Sequence, residues 1–330
     1  MALTKLKKNL MVSAAAVAFT AFASGASAET LVLYTSQPDA DAAATVSAFN
    51  QLHPDIEVEV FRSGTSDVLS KLAAEFAGGS PQPDVLLIAD AVSMELLKRD
   101  GRLMAYADAD VTGLDVNSYD ADRTYFGSKL ITTGIVFNNA ATERPTRWAD
   151  LTGEAYSNLT IMPSPLYSGA AAFLLAGFAA RDDLGWEYFE KMQANGLVAV
   201  RGNGAVLQSV ASGEKAYGVV VDFMAMNAIA DGSPIGFVFP EEGAPAVTEP
   251  VAILSTARNV DNAKAFVDFI LSDAGQKLAL EQGYLPARAE IGRPKWLPEG
   301  VEVNVMSVDI DAVVKTVEER KQQFSTLFGG

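Results

Sequence analysis

The residues whose types and spacing could do chemistry lie in SPLYSGAAAF, residues 164–173. There Tyr167, Ser168 and Gly169 precede an apolar, helix-favouring run from Ala170 to Ala180. A helix starting there presents first-turn N–H groups without intrahelical partners, and the small side chains beside them let a ligand come close. Such groups, with a serine hydroxyl, bind phosphoryl oxygens without any formal charge, so Ser168, Gly169 and Ala170 read as an anion cradle. Ser63-Gly64-Thr65-Ser66 has the same make-up ahead of a second helical run, and Thr35-Ser36 ends an apolar strand. Ser and Thr also serve as ordinary N-caps, and any one of these segments could be no more than that. Their recurrence at successive strand ends favours binding, because open α/β sheets take ligands at the carboxyl edge of their strands. A cradle for anions is unexpected in a chain of formal charge −16, with 25 Lys and Arg against 41 Asp and Glu.

The elements that must position these residues alternate between strand and helix. TLVLYTSQ (30–37) reads as a strand, 39–52 as a helix and DIEVEVFRSG (55–64) as an alternating strand. TSDVLSKLAAEFAGG (65–79) is a helix with Thr65 or Ser66 as N-cap, and PDVLLIAD (83–90) is apolar enough for a central parallel strand that ends in Asp90. The pattern recurs in GIVFNN (134–139), NLTIMPSPLYSG (158–169), LVAVRGNG (197–204, with Asn203) and AYGVVVDF (216–223, with Asp222). GFVFPEEG (236–243) and EPVAILST (249–256) follow, then one long helical segment (262–283) and an amphipathic final helix (311–327). The class is α/β, with doubly wound, mostly parallel sheets in two lobes joined by crossing strands. The expected N-lobe holds residues 29–133 and 249–290, and the C-lobe residues 134–248 and 291–330.

At 330 residues and 49% hydrophobic content the chain can bury two cores. Lys5, Lys7 and Lys8, an apolar run to about Phe22 and Ala26-Ser27-Ala28 mark residues 1–28 as a cleaved secretory signal. Removing three lysines and no acids takes the charge from −16 to −19. The absence of cysteine excludes disulfides and thiolate metal sites and suits an oxidising periplasm. The acidic balance argues against nucleic acid. DADVTG (108–113) begins like a calcium loop but carries Tyr119 where a bidentate Glu is required. G-x-S-x-G, H-E-x-x-H and P-loop motifs are absent, and a single histidine leaves little for hydrolase chemistry.

LVLYTSQ, HPDIEVEV before a Ser-Gly-Thr turn, PDVLLIAD, YSGAAAF, SGEKAYGVVVDF and NAKAFVDFILSDAGQKLALEQGYLPAR occur in that order. Together they resemble the extracellular solute-binding proteins of ABC importers across nearly the whole mature chain. The likeness is closest to the branch with ferric-ion, hexose-phosphate and 2-aminoethylphosphonate binders. It implies a type II periplasmic-binding-protein fold with ligand in the inter-lobe cleft, a monomer without cofactor or enzymatic activity, and delivery to a permease in the inner membrane. The iron binders of the branch place adjacent tyrosines where this chain has Phe223 and Met224, and many have histidine after Y-x-x-Q where this chain has Pro38. The lone His53 precedes Pro54 in a loop, so no metal site is expected. In the ferric branch a Ser-Gly-Ala segment holds a phosphate-like co-anion, and Ser168-Gly169-Ala170 matches it.

A carboxylate at the cleft mouth is a poor neighbour for phosphate and a good partner for an ammonium, the role expected of Asp222 and, in the other lobe, Asp90. The expected ligand is therefore 2-aminoethylphosphonate or a related aminophosphonate. It is held by Thr35, Ser36, Ser63, Thr65, Asp90, Tyr167, Ser168, Gly169, Ala170, Asn203 and Asp222. A sugar phosphate is the alternative, followed by ferric ion. A lyase acting on a phosphorylated substrate is the different-class alternative, with Asp90, Asp222 or Tyr167 as its base.

N-terminal sequencing of the protein recovered from the periplasm should read Glu29 as the first residue; an intact Met1 there would remove the signal assignment.

Overall fold

The apolar strand expected from TLVLYTSQ is the first element of the computed structural model, which describes residues 29–329; the expected signal, residues 1–28, lies outside the described residues. β1 (Glu29–Thr35) leads through Pro38 into α1 (Asp39–Leu52), whose first turn carries Asp39 and Asp41 where the helix dipole favours acid. β2 (Ile56–Arg62) leads into α2 (Thr65–Ala77). The cap of α2 is Gly64 and makes no side-chain bond, and Thr65 is a buried first-turn residue, so the expected Thr65 or Ser66 cap is not formed. β3 (Val85–Leu87), α3 (Ala91–Arg99) and β4 (Leu103–Met104) follow, then β5 (Phe126–Asn138). GIVFNN is thus only the second half of a 13-residue strand.

The second part of the chain forms β6 (Thr160–Pro163), α4 (Gly169–Ala179), α5 (Gly185–Ala194) and β7 (Val198–Val200). α6 (Asn203–Ala211), β8 (Tyr217–Val221), α7 (Asp222–Ala230), β9 (Ile235–Val238) and β10 (Ala246–Leu254) come next. The segment expected to be one long helix is two, α8 (Val260–Leu271) and α9 (Asp273–Glu281). They break at extended Ser272, whose hydroxyl accepts from Gly275 N–H and restarts the helix. β11 (Leu285–Pro286) and α10 (Ile310–Phe328) complete the chain.

The sheet order is β2-β1-β3-β10-β5-β8-β6-β7, with β4 on β10 and with β9 and β11 on β5. β1 is parallel to β2 and β3, and β6 is parallel to β7 and β8, whereas β5 and β10 run antiparallel to their neighbours. β5 belongs to both halves of the sheet. Its residues up to Thr132 pair with β10 and β11, and from Thr133 onward it pairs with β8 and β9. Leu31, Leu33, Phe49, Phe266 and Phe269 pack the core of the first half, and Trp148, Phe178, Phe189 and Phe324 that of the second. Between the halves, Val92 of α3 meets Phe173 and Ala176 of α4 and Val313, Val314 and Val317 of α10.

An ion pair is buried where the long strands meet. Lys129 of β5 places Nζ 2.8 Å from Oε2 of Glu249 on β10, with only 3% and 2% of the side chains exposed. The same Nζ lies 3.7 Å from the centre of the Tyr284 ring, and Gln37 Nε2 donates to Glu249 Oε2 at 3.2 Å. The register of β10 shifts between Thr248 and Pro250, so Glu249 sits at the irregularity. Nearby, buried Gln276 donates to the Ser128 and Ile270 carbonyls and accepts from Arg288 N–H, tying α9 to β5.

Lys129→Met leaves Glu249 buried without its counter-charge and should cost about 3–5 kcal/mol in urea unfolding. Lys129→Met combined with Glu249→Leu should recover most of that loss; a single variant as stable as the parent would contradict this account.

Candidate functional site

Between the two halves lies a cavity of about 410 Å³, bounded by helix starts from both. Pro38 and Asp39 come from the start of α1, Gly64 and Thr65 from α2, Ser168 to Ala170 from α4, Gly202 to Ala205 from α6, and Phe223 and Met224 from α7. This follows from the topology, since the strands of each half end at the same edge and each hands its chain to a helix there. The N–H groups of Gly169 and Ala170 in α4, and of Asn203, Gly204 and Ala205 in α6, make no hydrogen bond among the described residues. α2 and α6 both begin at glycine without a side-chain cap. Helix starts with open donors favour negative charge beside them.

Of the residues expected at the site, Ser36, Thr65, Tyr167, Ser168, Gly169, Ala170 and Asn203 line this cavity. Ser168 is also the N-cap of α4, accepting from Ala171 N–H at 3.3 Å, so the capping and lining roles coincide. Ser36 Oγ accepts from Ala89 N–H, and Asn203 Oδ1 accepts from Val221 N–H. Gly169 serves close packing. A Cβ there would lie 2.7 Å from the Ala89 carbonyl oxygen and 2.9 Å from Thr65 Oγ1, both in the other half.

Thr35, Ser63, Asp90 and Asp222 do not line it. Thr35 is fully buried and donates to the Leu87 carbonyl, joining β1 to β3. Ser63 donates to Asp67 Oδ2 at 2.8 Å. Asp90 caps α3, accepting from Val92 N–H at 2.8 Å and from the Ser93 hydroxyl; burial raises its pKa against the lowering effect of Ser93. Asp222 does not stand at the cleft mouth as expected. It is the first residue of α7, 1% exposed, and accepts from Thr132 Oγ1 at 2.6 Å and from Phe223 N–H at 2.7 Å. Burial pushes its pKa up to about 6, with the Thr132 hydroxyl pulling the other way. Both carboxylates are engaged by their own local structure, and the acids that do line the cavity are Asp39 and Glu249.

Sequence reasoning missed two lining arginines, Arg62 and Arg201. Arg62 ends β2, its Nε donating to the Gln37 carbonyl at 2.6 Å and lying 3.4 Å from Asp39 Oδ1. Its two terminal nitrogens make no hydrogen bond among the described residues, leaving a planar pair of donors. Arg201 lies between β7 and α6, and its Nη2 donates to Asp67 Oδ2 at 2.7 Å. The available signal was an arginine at a strand's carboxyl end just ahead of a glycine-led helix, as in FRSGT and VRGNG. The apolar part of the lining is Ile131, Val221, Phe223, Met224 and the Tyr284 ring, with Phe223 and Tyr284 ring centres 4.0 Å apart.

The raised pKa of Asp222 has a consequence for stability. Between its ordinary value near 4 and about 6, the folded chain holds a proton that the unfolded chain releases, so stability falls as pH rises through that window. Asp222→Asn removes the titration. Its stability relative to the parent should improve by up to roughly 3 kcal/mol between pH 4 and pH 7.5 in urea unfolding. A difference that stays constant across that range would show that Asp222 is not held in this way.

Residues 44–304 match the family described as bacterial extracellular solute-binding protein. A probable ABC transporter periplasmic-binding protein of Sinorhizobium fredii is 24% identical over 283 residues, 81% of this chain and 78% of that protein. The periplasmic binding protein AfuA of Actinobacillus pleuropneumoniae, solved with exogenous fructose 6-phosphate bound, superposes with a TM-score of 0.82 at 22% identity, covering 91% of this chain and 98% of that one. The ferric binding protein of Campylobacter jejuni gives a TM-score of 0.77 at 17% identity, covering 90% and 99%. These likenesses show that the fold is the type II periplasmic-binding-protein fold expected from the sequence. With the family match spanning most of its length, the chain belongs to the bacterial extracellular solute-binding proteins.

Proposed function

We propose that this chain captures a small organic phosphate in the cavity between its halves and delivers it to an ABC permease of the inner membrane. It works in the periplasm as a monomer, without chemical turnover. The observation that carries the reading is the pairing of Arg62 and Arg201 with the open N–H groups of α4 and α6 around one cavity. The net acidity of the chain is no obstacle, because the arginines and helix starts supply positive potential locally. A volume of about 410 Å³ leaves room beside a phosphoryl group for a ring-sized organic part against Phe223, Met224 and Tyr284.

A phosphate ester such as fructose 6-phosphate, the compound bound to AfuA, fits this division better than 2-aminoethylphosphonate does. The carboxylates expected to take the ammonium, Asp90 and Asp222, are occupied elsewhere. The aminophosphonate reading keeps one foothold, since Asp39 and Glu249 line the cavity. Ferric ion is disfavoured because Phe223 and Met224, the positions of the tyrosine pair, contribute apolar wall.

Calorimetric titration with fructose 6-phosphate, 2-aminoethylphosphonate, inorganic phosphate and ferric citrate tests the reading. The sugar phosphate should bind more tightly than the other three. Arg62→Met should weaken every phosphoryl ligand by about one to two decades, the typical loss of a hydrogen bond to a charged group. Tighter binding of 2-aminoethylphosphonate would restore the aminophosphonate reading, and saturable binding of iron alone would overturn both.

A further inference from the structure

Tyr167 and Arg201 make contacts beyond those a ligand would need. The Tyr167 ring is inserted between glycines on opposite halves: a Cβ on Gly64 would come within 2.4 Å of its Cε2 and Cζ, and one on Gly202 within 3.0 Å of its Cε1. Any other residue at Gly64 would hold the ring out. The Arg201 guanidinium covers the same ring with its carbon 4.6 Å from the ring centre, and its Nη2 reaches across to Asp67 on α2 at 2.7 Å. Asp67 Oδ2 is steadied by the Ser63 hydroxyl, and Ser66 N–H donates to the Tyr167 carbonyl at 3.3 Å. One spot at the edge of the cavity thus carries a ring insertion, an ion pair and a backbone hydrogen bond, each joining one half to the other.

We propose that Asp67 is a positioning residue for ligand capture, holding Arg201 and Tyr167 as a clasp across the mouth of the cavity it does not itself line. The proposal rests on the reading of that cavity as the ligand site. With the Arg201 and Asp67 side chains 71% and 45% exposed, an ion pair of this kind adds little to folding stability. Its effect is geometric. A long arginine side chain loses rotamer freedom when it binds an anion, and a carboxylate on one side with a ring beneath removes that freedom in advance. The guanidinium has five N–H donors, so it can serve Asp67 and a ligand oxygen together. Ligand and clasp then share one group, each favouring the arrangement the other requires, and the linkage is reciprocal. The clasp forms only with the halves together, so it slows ligand escape.

The chain has no cysteine, so Ser70→Cys on α2 and Gln208→Cys on α6, both exposed and one in each half, give a clean spin-label pair that reports their separation. In ligand-free protein Asp67→Asn should move the distance distribution toward longer separations, and Asp67→Glu should restore it. With fructose 6-phosphate as probe, Asp67→Asn should raise the dissociation rate about two- to fivefold, the range of exposed ion pairs. Unaltered distances, or an unaltered dissociation rate, would overturn the clasp. If the parent chain binds no phosphate ester, the ligand reading fails by itself and the distances alone decide whether the clasp exists.

Discussion

The buried pair of Lys129 and Glu249 is the constraint around which the two halves are organised. Two charges with almost no exposure are tolerable only if each finds the other, and here they come from β5, which belongs to both halves, and its neighbour β10. A one-residue slip of β5 against β10 would turn Lys129 to the opposite face and strand Glu249 in an apolar interior. The pair therefore fixes the register of the long strands. Gln37 adds the end of β1, and the Tyr284 ring adds the chain entering β11. Glu249 also forms part of the cavity wall, so the group that sets the register belongs to the proposed ligand site as well.

The cavity illustrates how an acidic protein can present a surface suited to anions. Positive potential comes from fixed backbone dipoles at several helix starts and from arginines whose carboxylate partners, Asp39 and Asp67, sit beside them. Each arginine is held in place by its neighbour and keeps donors to spare. Long-range attraction is small in such an arrangement, and selectivity depends on geometry at contact distance.

Much of this was legible in the sequence. The bounds of α1 follow from Pro38 and the acids behind it, and the start of α4 from Ser168, because both signals are local. The first half of β5 was missed, since KLITT carries lysine and threonines that are buried only by partners far along the chain. Ser272 within an amphipathic run did not announce a break, because an apolar period can continue across two helices that share a face. Which hydroxyls and carboxylates would face the cavity was least legible. Asp90 and Asp222 carry the same strand-end signal as Ser36, and all three side chains bond to groups beside them, but only Ser36 also lines the cavity. Strand-end position predicts proximity to a cleft, and side-chain direction is decided by whichever unpaired donor lies nearest.

The strand order also bears on how the chain is made. Leu87 of β3 waits for Val251 of β10, and the core between the halves waits for Val313, Val314 and Val317 of α10. Neither half can close on a continuous N-terminal segment, so synthesis proceeds almost to its end before a stable domain exists. Contacts so distant along the chain make folding slow. A chain built this way stays unlocked while it is being made, and the cavity between its halves takes shape only after β10 has joined β3 and β5.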